Sequence, residues 1–404
     1  MIKMLDTNTV LELQSQIFEE PFVLSSVVLE ELESIKMSKN KDESTRLKAR
    51  KIINLLISNI GKYEIVIYDK TASNILDQLE LEKTPDNKIC ACAAKIKDVE
   101  FITNDLACLL IAKNIFGLNA RRPEAHQGND YKGFKEIVLS DEELASFYAN
   151  LNNNTYLLLN NEYLIIKNQN NEIVDCRCWN GSEYRDLYKK KIQSLYFDKL
   201  KTKDIYQSCL VDSIMNNTLT AISGKAGSGK SLCSLMCAMS LIESGKYDSL
   251  VAMFNPSKAR GTADLGAYKG SFIDKAMQNS IGNILTTKFG DRYIVDSLLQ
   301  QEKLKLVSMA DCRGMEIKDN EILWITEAEN TTVDLIRLCL SRVSSGAKII
   351  IEGDYEYQTD SYLFDGDNNG LRRVINKLKG QEEFGCIQLQ NVWRSKIAEL
   401  CELL

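Results

Sequence analysis

The chain has 404 residues, enough for two or three domains, and its 44% hydrophobic and 26% charged residues describe an ordinary globular protein. Fifty Lys and Arg against 56 Asp and Glu leave a net charge of -6, which excludes a strongly basic coat protein for nucleic acid but not a local basic groove. His126 is the one histidine, so no paired-histidine site can form and metal chemistry falls to carboxylates.

The first third alternates strand-like and helix-like segments. IKMLD (2–6), EIVIYD (64–69) and VEFITND (99–105) read as buried strands that each end at an acid. Between them, KDESTRLKARKIINLLISN (41–59) and DNKICACAAKI (86–96) have helical spacing. Residues 1–150 hold 24 acids against 19 bases, so most of the acidic surplus sits here. YKGFKEIVLSDEELASFY (131–148) is expected to close this domain. Only four prolines occur (Pro21, Pro85, Pro123, Pro256), so boundaries are read from Gly, Asn and polarity. Residues 150–171 interleave Asn clusters with short apolar runs, the pattern of a small hairpin-rich connector. The last third returns to strands, LTAIS (219–223), SLVAMF (249–254), EILWIT (321–326) and KIIIEGD (348–354), with helical stretches between. Alternation of this kind implies α/β domains with parallel sheets, whose ligands gather at the C-terminal strand ends. The expected divisions are 1–149, a β-rich connector 150–199, and 200–404.

Twelve cysteines are spread along the chain without a CxxC pair; Cys90/Cys92 and Cys176/Cys178 are CxC, which is not a zinc-knuckle spacing. Cys233 and Cys237 lie in an apolar helical stretch and read as core. The start MIKMLDTNTV is not a signal peptide, and no run of about 18 uncharged apolar residues appears. A cytosolic protein with reduced thiols and no membrane contact is expected.

The strongest local signal is Gly224-Lys225-Ala226-Gly227-Ser228-Gly229-Lys230-Ser231, which follows the strand TLTAIS and opens the helical LCSLMCAMSLI. GxxxxGK[ST] in that context is a phosphate-binding loop: the glycines let successive N–H groups curl around a phosphate chain at a helix N-terminus. Lys230 is placed for the β- and γ-phosphates and Ser231 for a magnesium ion. A second acidic element is expected on a neighbouring strand, and Thr326-Glu327-Ala328-Glu329-Asn330 is the candidate. Thr326 stands where an aspartate is expected; its hydroxyl can bond a metal-bound water but brings no charge. Glu327 is placed to orient an attacking water. A third element, Glu352-Gly353-Asp354-Tyr355-Glu356-Tyr357-Gln358-Thr359-Asp360, ends another strand, with Gln358 as a γ-phosphate sensor or simply part of a polar turn.

These elements and their order resemble the PhoH-like ATPases, relatives of the RecA-like helicase motors. The family's DEAQN is similar to TEAEN here, and its GD…Q.D to Gly353, Asp354, Gln358 and Asp360. Arg313-Gly314 and Ser341-Arg342 match further family dipeptides, while Asn255-Pro256 replaces its Arg-Pro. The resemblance covers roughly 200–404 and implies ATP as ligand, with Gln207 reading adenine and Arg394 contacting phosphate across a subunit interface.

In the first third, Asp6, Glu31, Asp86 and Asp105 sit at strand ends and helix starts. Each has a bland alternative: Asp86 as a helix cap, Glu31 as an exposed helical residue, Asp105 as a strand-end cap. Thr7 and Asn8 are expected to hold the Asp6 carboxylate. Were the sheet to gather these acids, their repulsion would call for divalent cations, and hard oxygen ligands suit Mg²⁺ or Mn²⁺. Such ions activate water for phosphodiester cleavage without any histidine.

LDTNTV (5–10), VLEELE (28–33), ARKIINLL (49–56), DNKICACA (86–93) and FITNDLACLLIAKNIFG (101–117) are similar to a PIN-domain nuclease over about 1–125. The family's acids map onto Asp6, Glu31 (or its neighbour Glu30), Asp86 and Asp105. A PIN domain followed by a PhoH-like ATPase is a recognised arrangement in bacteria and phages. The resemblance implies an ATP-driven ribonuclease acting on single-stranded RNA, assembled as a homo-oligomeric ring, with a small inhibitory protein as a candidate partner. Lys36, Lys39, Lys41, Arg46, Lys48 and Arg50 are a candidate RNA patch, although Asp42 and Glu43 interrupt it as in a solvated helix face. The rival reading is an ATP-binding regulatory or assembly module whose hydrolysis has been lost at Thr326.

Overall fold

The computed structural model describes residues 2–38, 41, 43–123, 130–197, 199–255, 272–278, 280–360, 364 and 366–393. Contacts divide the chain into two compact units, 1–128 and 129–404.

In the first unit the elements run β1 (Ile2–Leu5), α1 (Thr7–Leu13), β2 (Phe22–Ser25), α2 (Ser26–Met37), α3 (Glu43–Ser58), β3 (Tyr63–Val66), α4 (Lys70–Gln78), α5 (Pro85–Ala94), β4 (Val99–Ile102), α6 (Leu106–Asn114) and β5 (Asn119–Arg121). The five strands form a parallel sheet in the order β3-β2-β1-β4-β5. The chain leaves the central β1 towards β2 and β3, then returns to lay β4 on its other side. That reversal opens a crevice at the C-terminal end of β1, where ligands bind in open α/β sheets. The register Leu5↔Ile102 sets Asp6 beside Thr103 at this point. Met4, Leu24, Leu32, Ile52, Leu76 and Phe101 are fully buried between sheet and helices. Each such side chain contributes roughly 1.5–3 kcal/mol of burial.

The second unit begins with β6 (Phe134–Val138), α7 (Asp141–Ala149), β7 (Glu162–Lys167), β8 (Ile173–Trp179) and β9 (Tyr184–Asp186). The hairpin β7–β8 lies in the Asn-rich region, as its composition suggested. The segment 131–148, however, does not close the first unit. β6 pairs in parallel with β7, Phe134 facing Tyr163, and completes the sheet β6-β7-β8-β9. Arg372 holds Asp130 at 3.0 Å and the Gln388 N–H donates to the Lys132 carbonyl at 2.9 Å, tying the same segment to the C-terminal elements.

The remaining elements are α8 (Ile205–Asn216), β10 (Leu219–Gly224), α9 (Lys230–Glu243), β11 (Ser249–Phe254), α10 (Phe272–Met277), α11 (Ser280–Phe289), α12 (Arg292–Gln300), β12 (Leu304–Ser308), β13 (Glu321–Ile325), α13 (Val333–Leu340), β14 (Lys348–Gly353), α14 (Gly370–Leu378) and β15 (Phe384–Leu389). They build a six-stranded parallel sheet, β12-β11-β13-β14-β10-β15. Both chain units are therefore α/β with parallel sheets. The small sheet is pinned to the larger one through Asp212 on α8. This fully buried carboxylate takes a bidentate pair from Arg185 at 2.8 and 2.9 Å, the Tyr163 hydroxyl at 2.7 Å and the Tyr188 N–H at 2.7 Å. Among the described residues no helix is long and apolar enough to cross a membrane.

Candidate active sites

The 224–231 loop joins β10 to α9. Gly227 and Gly229 have φ of +85° and +99°, backbone that side-chain-bearing residues rarely adopt. A Cβ on Gly229 would also lie 2.7 Å from the Gln207 amide nitrogen. Lys230 folds back onto the loop, donating to the Gly224 and Lys225 carbonyls. The Ser228 hydroxyl is buried without a protein partner, a donor suited to a phosphate oxygen.

A cavity of about 560 Å³ opens beside this loop. Gln207, Ala226, Gly227, Gly229, Lys230, Ser231, Glu327 and Gln358 line it, together with Thr326, Glu329, Glu352 and Trp393. Gly224 and Lys225 border a smaller neighbouring cavity of about 130 Å³. The Lys225 ammonium lies 4.8 Å from the Tyr357 ring centroid.

The acids around the larger cavity have distinct settings. Glu327 is at φ 51°, strained backbone for a non-glycine residue, and accepts from the Ser280 hydroxyl at 2.6 Å. Burial raises its carboxyl above the usual range, with Asp360 and Glu352 adding repulsion. Glu329 is pushed up to about 7 by burial, although the Asp354 N–H and the Lys230 charge oppose the shift. Glu352 is almost fully buried and accepts from Ser234 at 2.6 Å and from Thr326 at 3.2 Å. Asn330 and Asp360 bond reciprocally at 2.7 and 2.8 Å, joining the acidic element to the third.

In the first unit, Asp6 caps α1 by accepting from the Thr9 N–H at 2.7 Å and takes the Thr103 hydroxyl at 2.5 Å. Its neighbours Thr7 and Asn8 do not hold it: the Thr7 hydroxyl donates instead to Glu31, at 2.5 Å. Glu31 is held beside Thr7 and feels the charge of Asp6, whereas Glu30 is exposed on α2. Asp86 is not a helix cap. Thr84 caps α5, with Pro85 at its first position, and Asp86 follows in the first turn. Asp105 does cap, taking the Ala107 and Cys108 amides on one oxygen at 2.8 and 2.9 Å.

The four acids share one electrostatic neighbourhood. Burial raises Asp6, and Asp105 adds to the shift. Burial also raises Glu31, followed by the charges of Asp86 and Asp6. Asp86 is raised by partial burial, then by Asp105 and Asp6. Among the described residues no three of these groups close around a common point as a finished ligand set. The donor chemistry nevertheless fits a hard divalent ion: four carboxylates, mutually repelling, at a sheet switch point.

A PhoH-like protein family model matches residues 199–403, just over half the chain, and a PIN domain model matches 3–122. The chain belongs to the PhoH-like protein family. Its N-terminal part is a PIN domain, so the molecule is a PIN–PhoH fusion that joins a nuclease-type domain to a P-loop nucleotide-binding domain. Protein PhoH2 of Bacillus subtilis (strain 168) is 27% identical over 450 residues, covering 99% of this chain and 98% of that protein. Protein PhoH2 of Mycolicibacterium smegmatis is 28% identical over 219 residues, 52% of this chain and 49% of that protein. A structure of FitAB bound to an IR36 DNA fragment covers 31% of this chain and all of its own, at 20% identity and a TM-score of 0.23; so low a score carries no functional argument.

The residues expected at the nucleotide site fare differently in the structure. Gln207, expected to read adenine, donates its Nε2 to the Ser228 carbonyl at 2.9 Å and accepts the Lys203 N–H on its Oε1 at 2.9 Å. Arg394 and His126 lie outside the described residues. Glu329 and Glu352, which the sequence places in the second and third elements without a role of their own, line the cavity, as does Trp393; the signal for Glu352 is an acid ending the apolar run KIII. The CxC pairs are core, since Cys90, Cys92, Cys176 and Cys178 are all buried.

Proposed function

We propose that the chain is an ATP-dependent RNA-processing enzyme, a metal-dependent endoribonuclease whose PIN domain is supplied with RNA by the PhoH-like motor. The observation that carries the reading is the placing of four acids about one sheet switch point: Thr103 at the end of β4 holds Asp6, Thr7 holds Glu31, Asp105 caps α6, and Asp86 lies in the first turn of α5. These four residues would hold Mg²⁺ or Mn²⁺. When bound, the ion supplies an activated water and stabilises the leaving oxygen of a phosphodiester. The chain's own part is to orient the acids. Thr103 and the Thr9 N–H fix Asp6, Thr7 fixes Glu31, and the start of α6 fixes Asp105.

At the other site, the loop amides, the Ser228 hydroxyl and Lys230 bind the phosphate chain of ATP, Ser231 faces its metal, and Glu327 orients water. Single-stranded RNA, a homo-oligomeric ring, a small inhibitory partner and a cytoplasmic setting accompany this reading. The test is cleavage of single-stranded RNA in Mg²⁺ or Mn²⁺, together with ATP turnover with and without RNA.

Thr326 favours a second reading, an ATP-binding regulatory or assembly module without hydrolysis. Turnover no higher than that of Lys230→Ala would support it, and a rise in turnover in Thr326→Asp would identify the missing carboxylate as the cause.

A further inference from the structure

The acidic element lacks its aspartate at position 326, yet a carboxylate is present one strand away. β13 and β14 run in register, Ile325 facing Ile351, so Thr326 and Glu352 emerge side by side at the C-terminal sheet edge. β14 lies between β13 and the loop-bearing β10, and Glu352 faces Ile222 on β10. The carboxylate thus starts nearer the phosphate-binding loop than position 326 does, on a side chain one methylene longer than aspartate.

Its orientation is fixed from two directions. Thr326 donates to one oxygen at 3.2 Å and Ser234 to the other at 2.6 Å. Ser234 is three residues beyond Ser231 on α9, hence on the same helix face. Each carboxylate oxygen has a second acceptor site, and Glu352 lines the cavity with Lys230, Ser231 and Thr326.

We propose that Glu352 is the carboxylate that positions the divalent cation of the nucleotide site, through a metal-bound water, in place of the aspartate absent at 326. Thr326 is then the hydroxyl that aims it. This rests on the reading of the cavity as an ATP site. Ser231 remains the direct metal contact, and the carboxylate has moved from β13 to β14.

The test measures ATP binding to the full chain by calorimetry, in EDTA and in Mg²⁺, with Mn²⁺ resonance spectra of the ADP complex as a second readout. Glu352→Gln should keep the metal-free affinity, lose about tenfold of the metal-dependent gain, and alter the bound Mn²⁺ spectrum. Glu352→Asp should keep most of the gain, and Thr326→Asp should restore it in the Glu352→Gln background. Unchanged affinity in both media would overturn the proposal. So would an equal loss with and without metal, which marks a purely structural hydrogen-bond role. A wild-type chain that binds no ATP in either medium removes the nucleotide reading itself, and this proposal with it.

Discussion

Gln207 and Ser228 are joined at 2.9 Å, amide nitrogen to backbone carbonyl, so that α8 braces the phosphate-binding loop from outside. Replacing Gln207 by Met leaves that buried carbonyl without its partner, at a cost of about 1–3 kcal/mol. The melting temperature should fall by several degrees, and affinities for ATP and GTP should fall alike. Competition binding checks this; a variant that loses only its preference for ATP would make Gln207 a base reader.

The first-unit acids give a pH signature. Asp6, Glu31 and Asp86 have folded-state pKa values above their unfolded ones. The folded state therefore binds protons more readily, and stability is lost as pH rises from the ordinary carboxylate range near 4 through the raised values. In metal-free buffer the PIN domain should melt higher at pH 5 than at pH 7, and Mg²⁺ or Mn²⁺ should narrow the gap. Asp86→Asn should raise the metal-free melting temperature at pH 7 and blunt the metal response; scanning calorimetry with and without EDTA measures both.

Glu329 adds a separate step in the other unit. Its folded value of about 7 lies above the ordinary glutamate value of 4.5, so its contribution is full below about 4.5 and lost as pH rises through about 7. Glu329→Gln keeps an acceptor for the Asp354 N–H and removes the charge. It should raise the melting temperature at pH 8 while changing little at pH 4.5; a pH-independent shift would show that packing, not ionisation, dominates.

Trp393 offers an optical probe. Trp179 and Trp324 are buried, whereas Trp393 is 43% exposed at the cavity with the Lys203 ammonium 5.3 Å from its ring. ATP should change the tryptophan emission of the wild type, and Trp393→Phe should abolish that change while still binding ATP by calorimetry. An undiminished change in the variant would place the signal elsewhere.

Local chemistry was the legible part of this molecule. The glycine spacing of 224–231 and the acid-terminated strands IKMLD and VEFITND carry their meaning within a few residues. β2 was harder to read because only Ser25-Ser26 separate the apolar FVL of the strand from the apolar VVL of α2; Ser25 ends the strand and, by accepting the Val28 N–H at 3.2 Å, starts the helix. The place of 131–148 was hidden because β6 finds its partner in β7, each residue pairing with one 29 positions later. Roles that depend on a neighbouring strand were invisible for the same reason. Thr7 pairs with Glu31 and Thr326 with Glu352 only once the sheets are assembled.

The most direct measurement is cleavage of a labelled single-stranded RNA by the full chain in Mg²⁺ or Mn²⁺, comparing wild type with Asp6→Asn, Asp105→Asn and Lys230→Ala. The account predicts metal-dependent cleavage lost in both aspartate variants, with only its ATP stimulation lost in Lys230→Ala. Cleavage that survives Asp6→Asn and Asp105→Asn, or persists in EDTA, would contradict it.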